Sequence, residues 1–396
     1  MMRIVALIAA LTATGCLPAT PDPAPEECRA DACGPSRTAA WQMFLRDARH
    51  SGRSSAAPPS TTPRVRWTFR AADAFHAAAT VAADGTLYVG SHDGSFRALS
   101  PAGVELWSAK TGPIHATAAL RDDGVIYVPS ESEETSFLFA LNANGSERWR
   151  FPVAGEVHSS PTIGPDGSVY FCGHNGNLYA LGPDGKLRFE REIGECHTSP
   201  ALSDDGRTVY VGAESTQKLH AVRSSGEIAW SFDAGSEIQS SAAVAADGTI
   251  VFGTDGGLIF ALRSDGAKRW ELDAKSPVAS SPVISAGRAG GSGGCAPGVV
   301  MIGARDGRFH ALSHEGAELW SFETHSSISY SSPAIDRDAN VYFASRDGKV
   351  HALDCEGRLR WEVATEGMIA TSSIAIAADG TLYVGAADGR LFALGQ

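Results

Sequence analysis

The sequence predicts an all-β chain folded as an eight-bladed β-propeller, and three observations carry that expectation. The first is a repeat. The stretch DGTLYVGSHDGSFRAL, Asp84 to Leu99, returns at Asp166–Leu181, Asp247–Leu262 and Asp379–Leu394. An Ala-Leu or Ala-Val dipeptide ends eight copies, with alanines at Ala98, Ala140, Ala180, Ala221, Ala261, Ala311, Ala352 and Ala393, spaced 42, 40, 41, 40, 50, 41 and 41 residues apart. A near-constant period of this length marks a repeat architecture. The second observation is alternation: Leu87 and Val89 fall on one face of an extended segment, Thr86 and Tyr88 on the other, which is the period of a strand. The third is Trp67, an aromatic strand that stands ahead of the first copy and completes the last one.

Each copy supplies its own strands and turns. Segments of four to seven residues rich in Val, Ile, Tyr and Phe suit a pleated, half-buried surface. Between them stand Asp84-Gly85 and Asp93-Gly94, or Asp166-Gly167 and Asn175-Gly176, pairs that supply the positive φ of tight hairpins. A third turn follows Ala-Leu, and then comes a strand with an aromatic residue. Four strands, A to D, over ~41 residues make one propeller blade. The D-strand aromatics are Trp67, Trp107, Trp149, Phe189, Trp230, Trp270, Trp320 and Trp361. They are expected to wedge between neighbouring sheets, where truncating a buried one costs ~3–5 kcal/mol. Strand Arg64–Arg70 has no A, B and C before it, and the last copy ends at Gln396 without a D. Pairing the two closes the ring through one composite blade and removes open sheet edges.

The chain then divides as follows. Residues 1–16 form an export signal: Arg3 gives a positive start, and the apolar run Ile4–Ala13 is too short to span a bilayer as a helix. Its end, Ala13-Thr14-Gly15-Cys16, resembles a bacterial lipobox, which implies acylation at Cys16 and, with Leu17 next, retention at the outer membrane. Residues 17–63 are a tether rich in Pro and Ala that ends in a lead-in, W-x-M-F-x-x-D-x-x-H-x-G-x-S, from Trp41 to Ser54. Residues 64–396 are the propeller. A formal charge of −12 and a pI near 5.5 argue against nucleic-acid binding, which requires a basic footprint.

The lead-in and the repeat S-S-P-A/T-h, D-G-x-h-Y-h-G, D-G-x-h-x-A-L, W together resemble the PQQ-like propeller family over all of Arg64 to Gln396. That family spans quinone-dependent dehydrogenases and non-enzymatic scaffolds, so the resemblance implies a fold more sharply than an activity. The dehydrogenases carry an adjacent Cys-Cys pair beside the quinone and a calcium held by Glu, Asn and Asp. No two cysteines are adjacent here, and the blades are near-minimal.

Seven cysteines are present, and export permits disulfides. After Cys16, Cys28 and Cys33 are close in the tether. Cys172 ends a B strand and Cys196 starts the next A strand on the same face. Cys295 lies in the one insertion, roughly residues 287–297, an A–B loop on the face of the Cys355 turn. Pairs 28–33, 172–196 and 295–355 are therefore candidates, with buried free thiols as the alternative.

The candidate chemistry is a column of histidines. His76, His115, His158 and His197 each stand nine residues before the A–B glycine of their blade, where later blades carry Gln239, Ala279, Tyr330 and Thr371. Inner strands line a propeller's channel, so the four imidazoles share one mouth. They read either as a metal or anion site or as polar lining. Because packed sheets sit ~10 Å apart and zinc needs nitrogens at ~2.0–2.1 Å, the lining reading is preferred and no metal is expected. Gly290-Gly291-Ser292-Gly293-Gly294 has the form G-x-S-x-G but lies in the insertion, without the strand and helix of a nucleophile elbow. Asp336-x-Asp338-x-Asn340 opens like a calcium loop, but Val341 and Asp347 stand where glycine and glutamate belong, and an A–B hairpin explains it.

The sequence thus implies a scaffold without catalytic residues or cofactor, with PQQ and calcium belonging only to a dehydrogenase alternative. In length, anchor and blade count it is similar to the propeller lipoproteins of the outer-membrane β-barrel assembly machinery. That similarity implies an outer-membrane, monomeric protein with an envelope protein as partner. The expected binding face is the mouth, with His92, His174, Glu131, Glu133 and Glu134 on B–C loops beside the four column histidines.

Overall fold

The computed structural model describes residues 41–132, 135–288, 290–369 and 371–396. Eight four-stranded antiparallel sheets succeed one another along the chain. Their short A strands adjoin those of the neighbouring blades, blade 8 against blade 1 included. In blade 1 strands A to D are Thr80–Val81, Leu87–Gly90, Ser95–Leu99 and Glu105–Lys110, and the pattern repeats to Ala375–Ile376 in blade 8. Strands lengthen from A outwards because circumference grows with radius. Burial follows: A, B and C are almost wholly buried, whereas D alternates exposed and half-buried residues along its outer edge. Among the described residues the one helical piece is a 3₁₀ turn, Gly293–Cys295, and no helix is long and apolar enough to cross a membrane.

The ring closes as the sequence implies. Arg64–Arg70 pairs antiparallel with Arg390–Gly395, with Trp67 opposite Ala393. The repeated alanine has a packing reason. In every blade it sits opposite the D-strand aromatic, as Ala98 does Trp107 and Ala261 does Trp270. On its other side stands the B-strand residue, Tyr88 or Val251. Only a small side chain fits there, for the flanking rings lie with centroids 5.9 Å apart in Tyr88–Trp107 and 5.6 Å apart in Tyr127–Trp149.

Two expectations are corrected. The D-strand aromatics are docks at the rim rather than buried wedges: all are half-buried except Trp361, which is buried against the 41–63 segment. Every indole but that of Trp361, which donates to the Pro59 carbonyl, reaches the C–D turn of the next blade, where Trp107 Nε1 donates to the carbonyl of Ala143 at 2.9 Å and Trp230 to that of Ser264 at 2.9 Å. The lead-in, expected to belong to the tether, is part of the propeller. Trp41, Leu45 and His50 are buried. Carbonyls of Gln42, Ala48, Arg49 and Gly52 accept from Leu120, Leu202, Val244 and Ile335, at the A–B ends of four different blades. The segment therefore caps the channel on the face opposite the mouth. Cys16, Cys28, Cys33, Glu133 and Glu134 lie outside the described residues.

Two disulfides are formed, Cys172–Cys196 with Cα atoms 6.0 Å apart and Cys295–Cys355 at 4.9 Å. Around the channel the serines of the S-S-P pattern form a girdle. The backbone N–H of Ser160 donates to Ser199 Oγ, Ser199 to Ser241, Ser241 to Ser281, Ser281 to Ser332 and Ser332 to Ser373, at 2.9–3.1 Å. Thr117 takes the same place in blade 2 and Ala78 in blade 1, so the girdle is interrupted where Ser373 meets a residue with no hydroxyl.

Candidate functional site

The channel is a blind funnel enclosing a cavity of about 380 Å³, with Phe44 from the lead-in among its lining residues. Two rings of side chains form its mouth, one residue per blade in each. The first comes from the segments that enter strand A: His76, His115, His158, His197, Gln239, Ala279, Tyr330 and Thr371. The second comes from the first position of each B–C turn: His92, Glu131, His174, Glu214, Asp255, Arg305, Arg346 and Ala387. Its equivalence rests on eight like hydrogen bonds, each from the backbone N–H of the turn residue to the preceding D–A segment. Examples are His92 to Ala74 at 2.9 Å, His174 to Glu156 at 2.9 Å and Arg305 to Pro277 at 2.9 Å.

Six histidines gather on the side of blades 1 to 4, and the expected ~10 Å spread is not what the structure shows. Ring centroids are 4.5 Å apart for His76–His115, 4.7 Å for His115–His158 and 5.1 Å for His158–His197. His174 sits 4.3 Å from His158 and 4.1 Å from His197, and His92 lies 4.7 Å from His115. The rings come this close because they extend from the innermost segments, where blades converge.

Carboxylates stand between the imidazoles. His158 Nε2 donates to Glu131 Oε1 at 2.6 Å, His92 Nε2 to Glu131 Oε2 at 3.2 Å, and His197 Nδ1 to Glu214. Glu156 Oε2 lies 3.5 Å from both His158 Nε2 and His174 Nδ1. Burial raises the Glu131 carboxyl, but the His158 hydrogen bond and the surrounding imidazoles outweigh it, and its net shift is downward; His197 does the same for Glu214. Burial lowers His174 to about 4, with His197 and His158 adding to the effect, and burial followed by His92 lowers His76. The opposite side is different in kind. Arg305 donates to Gln239 Oε1 at 2.9 Å and to Tyr330 OH at 3.1 Å, and pairs with Asp255 at 3.3 Å. The mouth is thus bipolar, imidazole and carboxylate facing arginine.

The structure therefore brings His76, His92, His115, His158, His174 and His197 into one cluster with Glu131. Sequence reasoning missed Glu156, Glu195, Glu214 and Arg305. The signal was present: Glu156 and Glu195 each stand two residues before a column histidine, and the B–C turns align as a second column at the same period. The other two motifs stand in turns. The G-x-S-x-G loop contains only the 3₁₀ turn. Asp336 accepts from the N–H groups of Asp338 and Asn340, from Asn340 Nδ2 and from Tyr342 OH at 2.8–2.9 Å, all within its own blade.

A closed eight-bladed propeller with a capped floor and one charged, open mouth is the class that fold and site define. A family model described as outer membrane protein assembly factor BamB matches residues 57–232 and again 215–396. The chain belongs to that family of PQQ-type repeat propellers. No curated protein matches it. Among solved structures it is similar to BamB from Moraxella catarrhalis, at 17% identity over 84% of this chain and 100% of that one, with a TM-score of 0.65. It is similar also to the quinohemoprotein alcohol dehydrogenase from Comamonas testosteroni, at 15% identity over 93% and 82% with a TM-score of 0.71. A europium-containing methanol dehydrogenase is 13% identical over 88% and 90%, with a TM-score of 0.68. Identities this low speak for the fold alone.

Proposed function

We propose that this chain is a non-enzymatic binding scaffold of the bacterial cell envelope, held at the outer membrane by a lipid on Cys16 and engaging a protein of outer-membrane assembly through its mouth. The observation that carries the reading is the family match, whose two overlapping segments span every blade. The chemistry of the mouth supports it. Tyr330 and Met368, on segments entering strand A, are 40% and 45% exposed and offer apolar anchors beside Arg305 and the carboxylates, the mixture that protein interfaces favour.

The residues present do not fit the quinone of the dehydrogenases. Neither ring of the mouth holds an asparagine, and Glu131 and Glu214 are already bonded to imidazoles. The nearby disulfide is buried and joins residues 24 apart rather than neighbours.

A photo-crosslinking residue at Met368, in intact cells, is expected to capture a component of the outer-membrane assembly apparatus. The same probe at Val104, exposed on an outer C–D turn, is expected to capture none. Absence of an adduct at Met368 would count against the reading. So would stoichiometric quinone and calcium retained by the purified full chain after incubation and desalting, measured by absorption and metal content.

A further inference from the structure

We propose that His158, His174 and His197 form a binding site for one divalent transition-metal ion, zinc being the reference ion, with a coordination position left open to the funnel. One ligand nitrogen from each of the three lies within 4.8 Å of the other two. A tetrahedral ion with Zn–N bonds of ~2.0–2.1 Å holds its nitrogens about 3.3 Å apart, so ring rotations that shorten the separations by about 1.5 Å at most complete the set.

Three independent features point to a ligand there. The first is His174 Nε2, which is buried and has no hydrogen-bond partner. An unsatisfied buried ring nitrogen is costly, and a metal would satisfy it. The second is the carboxylate behind each imidazole: Glu131 on His158, Glu156 near His174 and Glu214 on His197. A metal-bound histidine commonly has its other nitrogen held by such a group, which fixes the ring and strengthens it as a ligand. The third is the Cys172–Cys196 disulfide, two residues before His174 and adjacent to His197. It staples the B strand that leads to one ligand to the segment that carries the other, and makes them a rigid pair. Imidazole donors suit zinc, copper, nickel and iron rather than calcium or magnesium. Three histidines with an open position allow the ion to bind water or an anionic group from the funnel.

The test is made on the full chain, stripped with chelator, incubated with zinc sulfate, desalted and analysed for metal. About one zinc per chain is expected, as a three-histidine site predicts. With cobalt(II) in its place, an intense visible d–d spectrum should appear without a thiolate charge-transfer band, which separates the site from Cys28 and Cys33. Glu214→Gln should weaken retention by about 10–100-fold, the loss usual for a supporting partner, and His174→Gln should weaken it further. His325→Gln, on an exposed turn, should leave it unchanged. Wild-type chain that retains no zinc would overturn the proposal, as would His174→Gln and His197→Gln chains that retain as much as wild type. Should a variant fail to fold, the wild-type metal content and cobalt spectrum decide alone.

Discussion

His50 shows at the scale of one residue how the lead-in is fixed. It is wholly buried, its Nδ1 donates to the Ala242 carbonyl at 2.8 Å, and its ring meets Phe44 edge-on at 5.3 Å. Burial lowers its pKa from 6.5 to about 4. A depressed histidine is neutral in the folded chain while the unfolded chain takes up a proton. Its contribution is therefore fully present above about pH 6.5 and is lost as pH falls towards 4, by roughly 3 kcal/mol in total. His351, also lowered to about 4 by burial, acts in the same direction. Urea midpoints measured from pH 7.5 to 4.5 should fall, and His50→Asn, which tolerates the positive φ of 57° found here, should flatten that slope. An unchanged slope would show that His50 is not held neutral. The sequence placed His50 in a motif, but nothing in the motif says that its ring is held inside the fold, because the carbonyl it bonds lies 192 positions away.

At the scale of the element, the joint between blades is an indole laid on the next blade's turn. Gly266 has a φ of +87°, and a Cβ there would meet Trp230 Cδ2 at 2.8 Å. Gly266→Ala is expected to cost about 2–4 kcal/mol through backbone strain and displacement of the ring. Trp230→Ala should cost about 2 kcal/mol, below the range of a fully buried aromatic, because the indole is half-buried. Since both changes break one joint, the double variant should be clearly less destabilised than the sum; chemical denaturation of the four chains measures this, and full additivity would refute the dock. The repeat period revealed that the aromatics recur. Whether they lie between sheets or at the rim depends on how the sheets tilt against one another, which the period does not encode.

At the scale of the whole molecule, two N-terminal segments have separate tasks. Strand Arg64–Arg70 closes the ring, and the segment before it caps the floor. A chain beginning at Pro63 keeps the closure and is expected to be monomeric in light scattering. A chain beginning at Ala71 exposes the edge of Arg390–Gly395 and should associate through it, since unpaired edges recruit other strands. A monomer in the second case would show that an uncovered Arg390–Gly395 edge does not drive association.

The sequence by itself determined the number of blades, the strand order within them, the composite closure and the mouth as the place to look. Each of these is a local or periodic property, written once per 41 residues or so and read without knowing any distance. Tertiary structure alone decided the rest: that six histidines from four blades touch, that glutamates stand between them, that arginine faces them, and that the lead-in is a floor. Those outcomes come from the convergence of inner strands on a common axis, which sets residues some 40 positions apart within 5 Å of each other, a distance that the period does not encode.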